Sequence, residues 1–377
     1  MQQTHNLLIL GSSPSSPTNI LSYIVRVYFF FEYIMRILGI NISHNPSISL
    51  CENGKITKHY DETRFRKNKH FYLGDALRSD ELQEVYYECI NKIDGYFDHV
   101  IFSSFGAQRY SLETIYDIND LQYKNNIVYQ NFDQKIISNF KKQLSNKILN
   151  SSNVWYLNEH HLYHALSGFY QSNFDESICI VMDGGGVSYF LESMPTFQEM
   201  ESIYYINKKE IKKLYGHLSN ARFKPIQFAI PEMQEKSYTE KVVDSCKYVF
   251  SSNLSSGFLF SQLTEYLGLG DGSSSGKTMG LAAYGNPDGN RPEDLAHKLQ
   301  LKTEKNTKEL IDYASKLHNC KNIILSGGYA INCLNNYKYV KSFPNLNFFV
   351  DPCAWDGGTS IGAAIWLHRE LNKDVLI

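Results

Sequence analysis

Paired thiols are missing from this chain. Its seven cysteines (51, 89, 179, 246, 320, 333 and 353) are odd in number and include no CxxC pair. That excludes a disulfide framework and a thiolate zinc site, and it fits a reducing compartment, the cytoplasm. Net charge is scarce as well, at −2. A surface built to coat a polyanion is therefore not expected, so nucleic acid is a poor partner and a small molecule or mononucleotide a better one. A membrane span is lacking too. The most apolar run, "NILSYIVRVYFFFEYIM" (19–35), is interrupted by Arg26 and Glu32 and is too short between those charges to cross a bilayer. No basic segment precedes it, which argues against a secretory signal. Neither GxGxxG nor GxxxxGK[ST] occurs, so Rossmann and Walker phosphate sites are excluded. Long low-complexity linkers are absent. The run "GDGSSSG" (270–276) reads as a flexible turn.

The composition that is present, 43% hydrophobic and 20% charged over 377 residues, is that of a globular protein with room for two lobes. The regular pattern begins at Met35, so residues 1–35 read as an extension whose status is open, with Met35 a candidate start. "RILGINIS" (36–43) and the two halves of "SISLCENGKITKHY" (47–60) read as a three-strand meander. Asn53-Gly54 supplies a type I′ hairpin turn between the second and third strands. A helix (79–93), a strand (99–104), a second helix (133–149), a strand (153–158) and a third helix to about Tyr170 follow. The pattern then restarts. Strands are expected at 177–183, 187–193 and 202–207, helices within 240–267 and 304–319, and strands at 322–328 and 347–352. The last helix is expected over 357–371. Two successive βββαβαβα halves, 36–176 and 177–377, are the pattern of the α/β, two-lobed actin, sugar-kinase and Hsp70-like ATPase fold, with a nucleotide between the lobes.

Histidine numbers only 12, yet three fall in "NEHHLYHALSGFY" (158–170). On a helix His160 and His164 lie at i and i+4, on one face, the spacing for two ligands of one metal ion. An HxxxH pair by itself is more often ordinary packing. Here three Asp-Gly or Gly-Gly turns accompany it: "MDGGG" (182–186), "SGG" (326–328) and "WDGGTS" (355–360). Glycines at strand ends let backbone amides approach phosphate oxygens. Asp183 and Asp356 stand at two of these turns, and two imidazoles with two carboxylates suit Fe²⁺, Mn²⁺ or Zn²⁺.

The runs "ILGINISHNPSISLCENGKI" with "DETRFRKNKH", then "EHHLYHALSGFY", "VMDGGG", "GKTMGLAAYG", "LSGGYAINC" and "PCAWDGGTSIGAA" occur in this order from about 36 to 370. As a set they resemble the NodU/CmcH-type O-carbamoyltransferases, whose N-terminal domain is similar to threonylcarbamoyl-transfer ATPase-like proteins. The resemblance implies that His160, His164, Asp183 and Asp356 hold an iron-type ion that grips the phosphate of carbamoyl-adenylate. It implies His44 as the base that deprotonates the acceptor hydroxyl. The nucleotide is expected on Gly184, Gly185, Gly186, Lys277, Ser326, Gly327, Gly328 and Asn332, with Arg64 and Lys69 as further basic candidates. His161 is left for packing or support of its neighbours.

The sequence departs from the family in two places. The acidic residue expected before the Gly-Lys of "GKTMGLAAYG" is a serine, and the chain stops at Ile377 with no YrdC-like domain after it. Either a separate YrdC-like protein makes carbamoyl-adenylate from carbamoyl phosphate and ATP, or the chain is a fragment, or the activity differs. The resulting expectation is a transfer domain that moves a carbamoyl group to a hydroxyl of a sugar, an antibiotic-like metabolite or a hydroxymethyl nucleotide. A small-molecule kinase of the same fold and a non-catalytic nucleotide-binding subunit are the alternatives. A kinase would use Mg²⁺ on carboxylates and would not need the histidine helix.

Overall fold

The computed structural model describes residues 33–41, 45–61, 89–104, 109–111, 142, 144, 146–148, 153–157, 159–191, 194–220, 238–243 and 245–372. The chain divides into two units, Met1–Ile34 and Met35–Ile377. The expectation for residues 1–32 lies outside the described residues, and everything below concerns the second unit.

The first sheet starts from the expected meander: β1 (Arg36–Asn41), β2 (Ser47–Glu52) and β3 (Lys55–Asp61). Asn53 and Gly54 both take positive φ, 47° and 78°, which is what a two-residue type I′ turn demands. β4 (His99–Ser104) and β6 (Val154–Tyr156) add in parallel beside β1, giving the order β3-β2-β1-β4-β6. β5 (Arg109–Ser111) pairs elsewhere, with β8 (Ser188–Leu191). In the second sheet β7 (Glu176–Met182), β9 (Met194–Asn207) and β10 (Ile211–Ser219) are antiparallel neighbours. β13 (Asn322–Ser326) and β14 (Asn347–Val350) run parallel on the far side of β7. Each sheet therefore repeats one order, third-second-first-fourth-fifth, with the same strand directions. The second sheet is extended past β10 by β12 (Cys246–Ser251) and β11 (Tyr238–Val243).

Helices α1 (His160–Ser172) and α6 (Thr359–Leu371) fill the space between the sheets. α1 packs on β7, β9 and β13, α6 packs on β1, β2 and β4, and the two helices pack on each other. Their shared core joins Tyr163, Ala165 and Leu166 to Ala363, Ala364 and Leu367, flanked by Ile37 and Ile101 of one sheet and Cys179, Val181 and Ile324 of the other. Each half's closing helix thus lies on the other half's sheet. α2 (Ser256–Tyr266), α3 (Ser275–Leu281), α4 (Pro292–Leu317) and α5 (Cys333–Ser342) complete the described helices. Among the described residues no helix is long and apolar enough to cross a membrane.

The structure corrects three expectations. The second strand of the second meander is β9, which takes in the expected third strand 202–207, and the third is β10; the expected second strand, 187–193, holds β8, which forms a ribbon with β9. Lys212 and Lys213 disguise β10 as a solvated segment, whereas Lys213 is mostly buried. Within the expected helical stretch 240–267, residues 240–243 and 246–251 are strand and α2 is the helical part. Val242, Val243 and Val249 are β-branched and favour strand, and Ser245 turns the ribbon at φ 67°. α4 begins at Pro292, twelve residues before the expected 304. Proline suits the first helical turn, and Asp294 closes the end by accepting from the Arg291 amide at 2.8 Å. The expected helices 79–93 and 133–149 lie largely outside the described residues.

Candidate functional site

The carboxyl ends of β7 and β13 meet side by side, with Val181 opposite Ser326. In α/β sheets of this kind the crevice beyond the strand ends is where ligands bind. β7 runs into Asp183 and the Gly184–Gly186 turn, and β13 runs into Gly327 and Gly328. Gly327 has φ 87°, and a Cβ there would sit 2.3 Å from the Met182 carbonyl oxygen, so only glycine fits. The Gly328 amide donates to Asp183 Oδ1 at 2.9 Å. Ser255, the cap of α2, donates to the Asp183 carbonyl at 2.7 Å. Asp356 opens a short turn ahead of α6. Its carbonyl accepts from Asn41 Nδ2 at 3.0 Å and from Thr359 Oγ1 at 2.7 Å.

α1 starts at His160, so His160 and His164 stand on its first two turns and face both aspartates. His160 Nε2 lies 3.2 Å from Asp183 Oδ2 and 3.5 Å from Asp356 Oδ1. His164 Nε2 lies 3.6 Å from Asp356 Oδ1 and 3.2 Å from His160 Nε2. All four residues are buried, and one donor atom from each falls within 4.8 Å of the others. A divalent ion with bonds of about 2.0–2.2 Å keeps opposite ligands roughly 4 Å apart, close to that spread. Two imidazole nitrogens facing each other need a proton or a metal ion between them. The donor set of two nitrogens and two carboxylates fits a divalent cation and leaves the site neutral with it. Without an ion, burial presses His160 towards neutrality, but Asp356 and the Asp183 hydrogen bond outweigh it and lift His160 to about 10. Burial likewise pushes Asp183 up, and His160 with His164 pulls it well below the usual carboxylate range.

His161 takes another course. Its ring is fully buried against β9, with Nδ1 2.9 Å from Ser202 Oγ and 3.4 Å from Glu199 Oε2. Burial holds it down at about 4. Glu199 pairs with Lys213, and His161 and Lys213 together outweigh burial and hold it at about 2. On the opposite side of β9, Glu201 accepts from the Ser256 amide at the start of α2 at 3.3 Å. His217 bridges Glu201 to Ser251, at 2.5 and 2.6 Å, and fastens that helix start to the sheet. His161 was expected to pack or support its neighbours; none of the other residues here was singled out from the sequence. Charged residues inside strands read as solvated, and only their alternation with apolar neighbours hints at burial.

The other candidates are scattered in their roles. Gly184 has open space where a side chain would be, and Gly185 and Gly186 are pressed by Gln198 and His161. Ser326 Oγ donates to the buried Asp351 at 2.8 Å. Asn332 caps α5 and exchanges two hydrogen bonds with Gln300, at 2.9 and 3.1 Å, so its side chain is taken up inside the fold. Lys277 is exposed and donates to the Leu269 carbonyl at 2.7 Å. His44, Arg64 and Lys69 lie outside the described residues.

The family model described as "Carbamoyltransferase N-terminus" matches residues 36–317 and 289–365. The chain belongs to that family. Among its relatives is the nodulation protein NolNO of Sinorhizobium fredii, 28% identical over 229 residues, 57% of this chain and 31% of that protein. The chain spans less than half the length of the curated relatives it matches. Two solved structures share its fold. HypF of T. kodakarensis superposes with a TM-score of 0.54 at 15% identity, covering 90% of this chain and 48% of that one. A full-length HypF in the phosphate- and nucleotide-bound form gives 0.52 at 13% identity, covering 89% and 46%. In this chain the four candidate ligands converge at the strand-end crevice.

Proposed function

We propose that this family member is the transfer domain of an O-carbamoyltransferase, acting on a hydroxyl of a small molecule such as a sugar, an antibiotic-like metabolite or a hydroxymethyl nucleotide. The observation that carries the reading is the convergence of His160, His164, Asp183 and Asp356 at the strand ends of a chain in this family. These four residues would hold a divalent ion, iron before manganese or zinc, because the donors are imidazole and carboxylate without thiolate. The ion would supply positive charge beside the phosphate of carbamoyl-adenylate. Gly184 to Gly186 and Ser326 to Gly328 line the same crevice; the Gly186 and Gly328 amides are taken up by Glu199 and Asp183, and those of Gly184 and Gly185 would meet that phosphate. The acceptor oxygen attacks the carbamoyl carbon, the bond from that carbon to the adenylate oxygen breaks, and AMP leaves. His44 would take the hydroxyl proton, since imidazole titrates near neutrality. The likeness to a nucleotide-bound HypF supports a nucleotide in the crevice through fold alone. Carbamoyl-adenylate would come from carbamoyl phosphate and ATP on a YrdC-like protein. Seven cysteines with no CxxC pair agree with work in the cytoplasm.

The test is turnover with preformed carbamoyl-adenylate, or with ATP, carbamoyl phosphate and a YrdC-like protein, against a panel of hydroxyl acceptors. A carbamate ester and AMP are expected in equal amounts. His44→Asn should slow transfer by roughly 10²–10⁴-fold, the usual worth of a positioned base, with nucleotide binding kept. No ester with any acceptor, or an unaffected His44→Asn protein, contradicts the reading.

A further inference from the structure

Beside the four convergent residues lies a second buried array with its own charge balance. Lys213 of β10 pairs with Glu199 of β9, and its ammonium lies 5.5 Å from the Tyr204 ring centre and 5.6 Å from that of Tyr248. Ser202 Oγ donates its one proton to Glu199 Oε1 at 2.7 Å. The serine oxygen therefore accepts from His161, which carries its proton on Nδ1. The far edge of the His161 ring lies against Gly186. A Cβ at Gly186 would be 2.7 Å from His161 Nε2 and Cδ2 and 2.9 Å from Glu199 Oε2. Glu199 also grips the turn through its backbone. Its carbonyl accepts from the Gly186 amide at 2.7 Å, and its amide donates to the Val187 carbonyl at 2.9 Å. Gln198 adds a bond to the Gly186 carbonyl at 3.1 Å.

One strand residue thus holds the glycine turn twice, by main chain and through a histidine that its carboxylate orients. A well-packed apolar filling would hold the backbone at less electrostatic cost. The bond from His161 Nδ1 to Ser202, backed by Glu199, adds a single allowed ring orientation and hence a single height for the turn, with the unbonded Nε2 edge left against Gly186. We propose that His161, Ser202, Glu199 and Lys213 are positioning residues that set the Asp183–Gly186 turn for the phosphate of a bound nucleotide, touching neither nucleotide nor metal. The proposal rests on the nucleotide reading above.

The experiment measures ATP affinity by calorimetry, with bound metal and melting temperature recorded on the same full-length proteins. Gly186→Ala drives a methyl into the His161 ring and should weaken ATP roughly tenfold or more while metal content stays the same. His161→Ala opens that space but also frees the turn, so the double variant should bind ATP better than Gly186→Ala alone yet less tightly than the wild type. A merely structural histidine would not give that mutual rescue. His161→Asn keeps a donor for Ser202 and should bind more tightly than His161→Leu, which serves if Gly186→Ala does not fold. Wild-type affinity in Gly186→Ala, a double variant no better than Gly186→Ala, or equal binding by the asparagine and leucine variants overturns the proposal. If the wild type binds no ATP, the nucleotide reading fails. The positioning of the turn is then decided by the same mutual rescue in melting temperature.

Discussion

His161 and its neighbours His160 and His164 share two turns of α1, yet the carboxylates around them are balanced differently. Glu199, beside His161, meets the ammonium of Lys213. Asp183, beside His160, meets imidazole, and its main support otherwise is the Gly328 amide. A buried carboxylate is tolerable only with a counter-charge and hydrogen bonds. One region carries its cation in the sequence. The other gathers two carboxylates and two imidazole nitrogens around a point where a cation fits. The difference separates a permanent scaffold from a site whose charge arrives from solution.

The comparison breaks most visibly if the built-in cation is removed. Lys213→Ala leaves Glu199 buried beside a neutral histidine, and losing one partner of a buried pair costs about 3–5 kcal/mol. A denaturant melt should show that loss, and added metal should not restore it. Unchanged stability would mean that Glu199 reaches water or another cation.

A smaller effect sharpens the comparison through pH. In the metal-free protein His160 sits at about 10, so at neutral pH an incoming ion must displace a proton. Apparent metal affinity should rise with pH, by up to about tenfold per unit below pH 10. The Glu199 cluster behaves oppositely. Its carboxyl is lowered from 4.5 to about 2, so its stabilisation is complete above 4.5 and is lost only as pH falls towards 2. Competition titrations at pH 6, 7 and 8 check the first point, and a metal affinity that stays flat contradicts it.

The first meander was legible because its strands alternate and Asn53-Gly54 names its turn. The four convergent residues were legible because helical spacing puts His160 and His164 on one face, and Asp-Gly turns mark strand ends. β10 was not, because Lys213 is a buried strand residue whose partner, Glu199, is fourteen positions away and visible only once β9 and β10 pair. The 238–251 ribbon was missed for a related reason. Its apolar residues also fit a helical period, and pairing with β10 decides between the two. Asn332 shows the opposite error. Its place after a glycine turn suggests a ligand contact, yet Gln300, from a distant helix, takes up its amide.

Elemental analysis of the purified wild type beside His164→Ala tests the central claim most directly. His164 is fully buried, its Nε2 faces His160 and Asp356, and its Nδ1 has no hydrogen-bond partner among the described residues. The account predicts about one equivalent of a divalent ion in the wild type, with iron leading, and close to none in His164→Ala, while the circular dichroism of the two proteins agrees. Equal metal content in both proteins would contradict it.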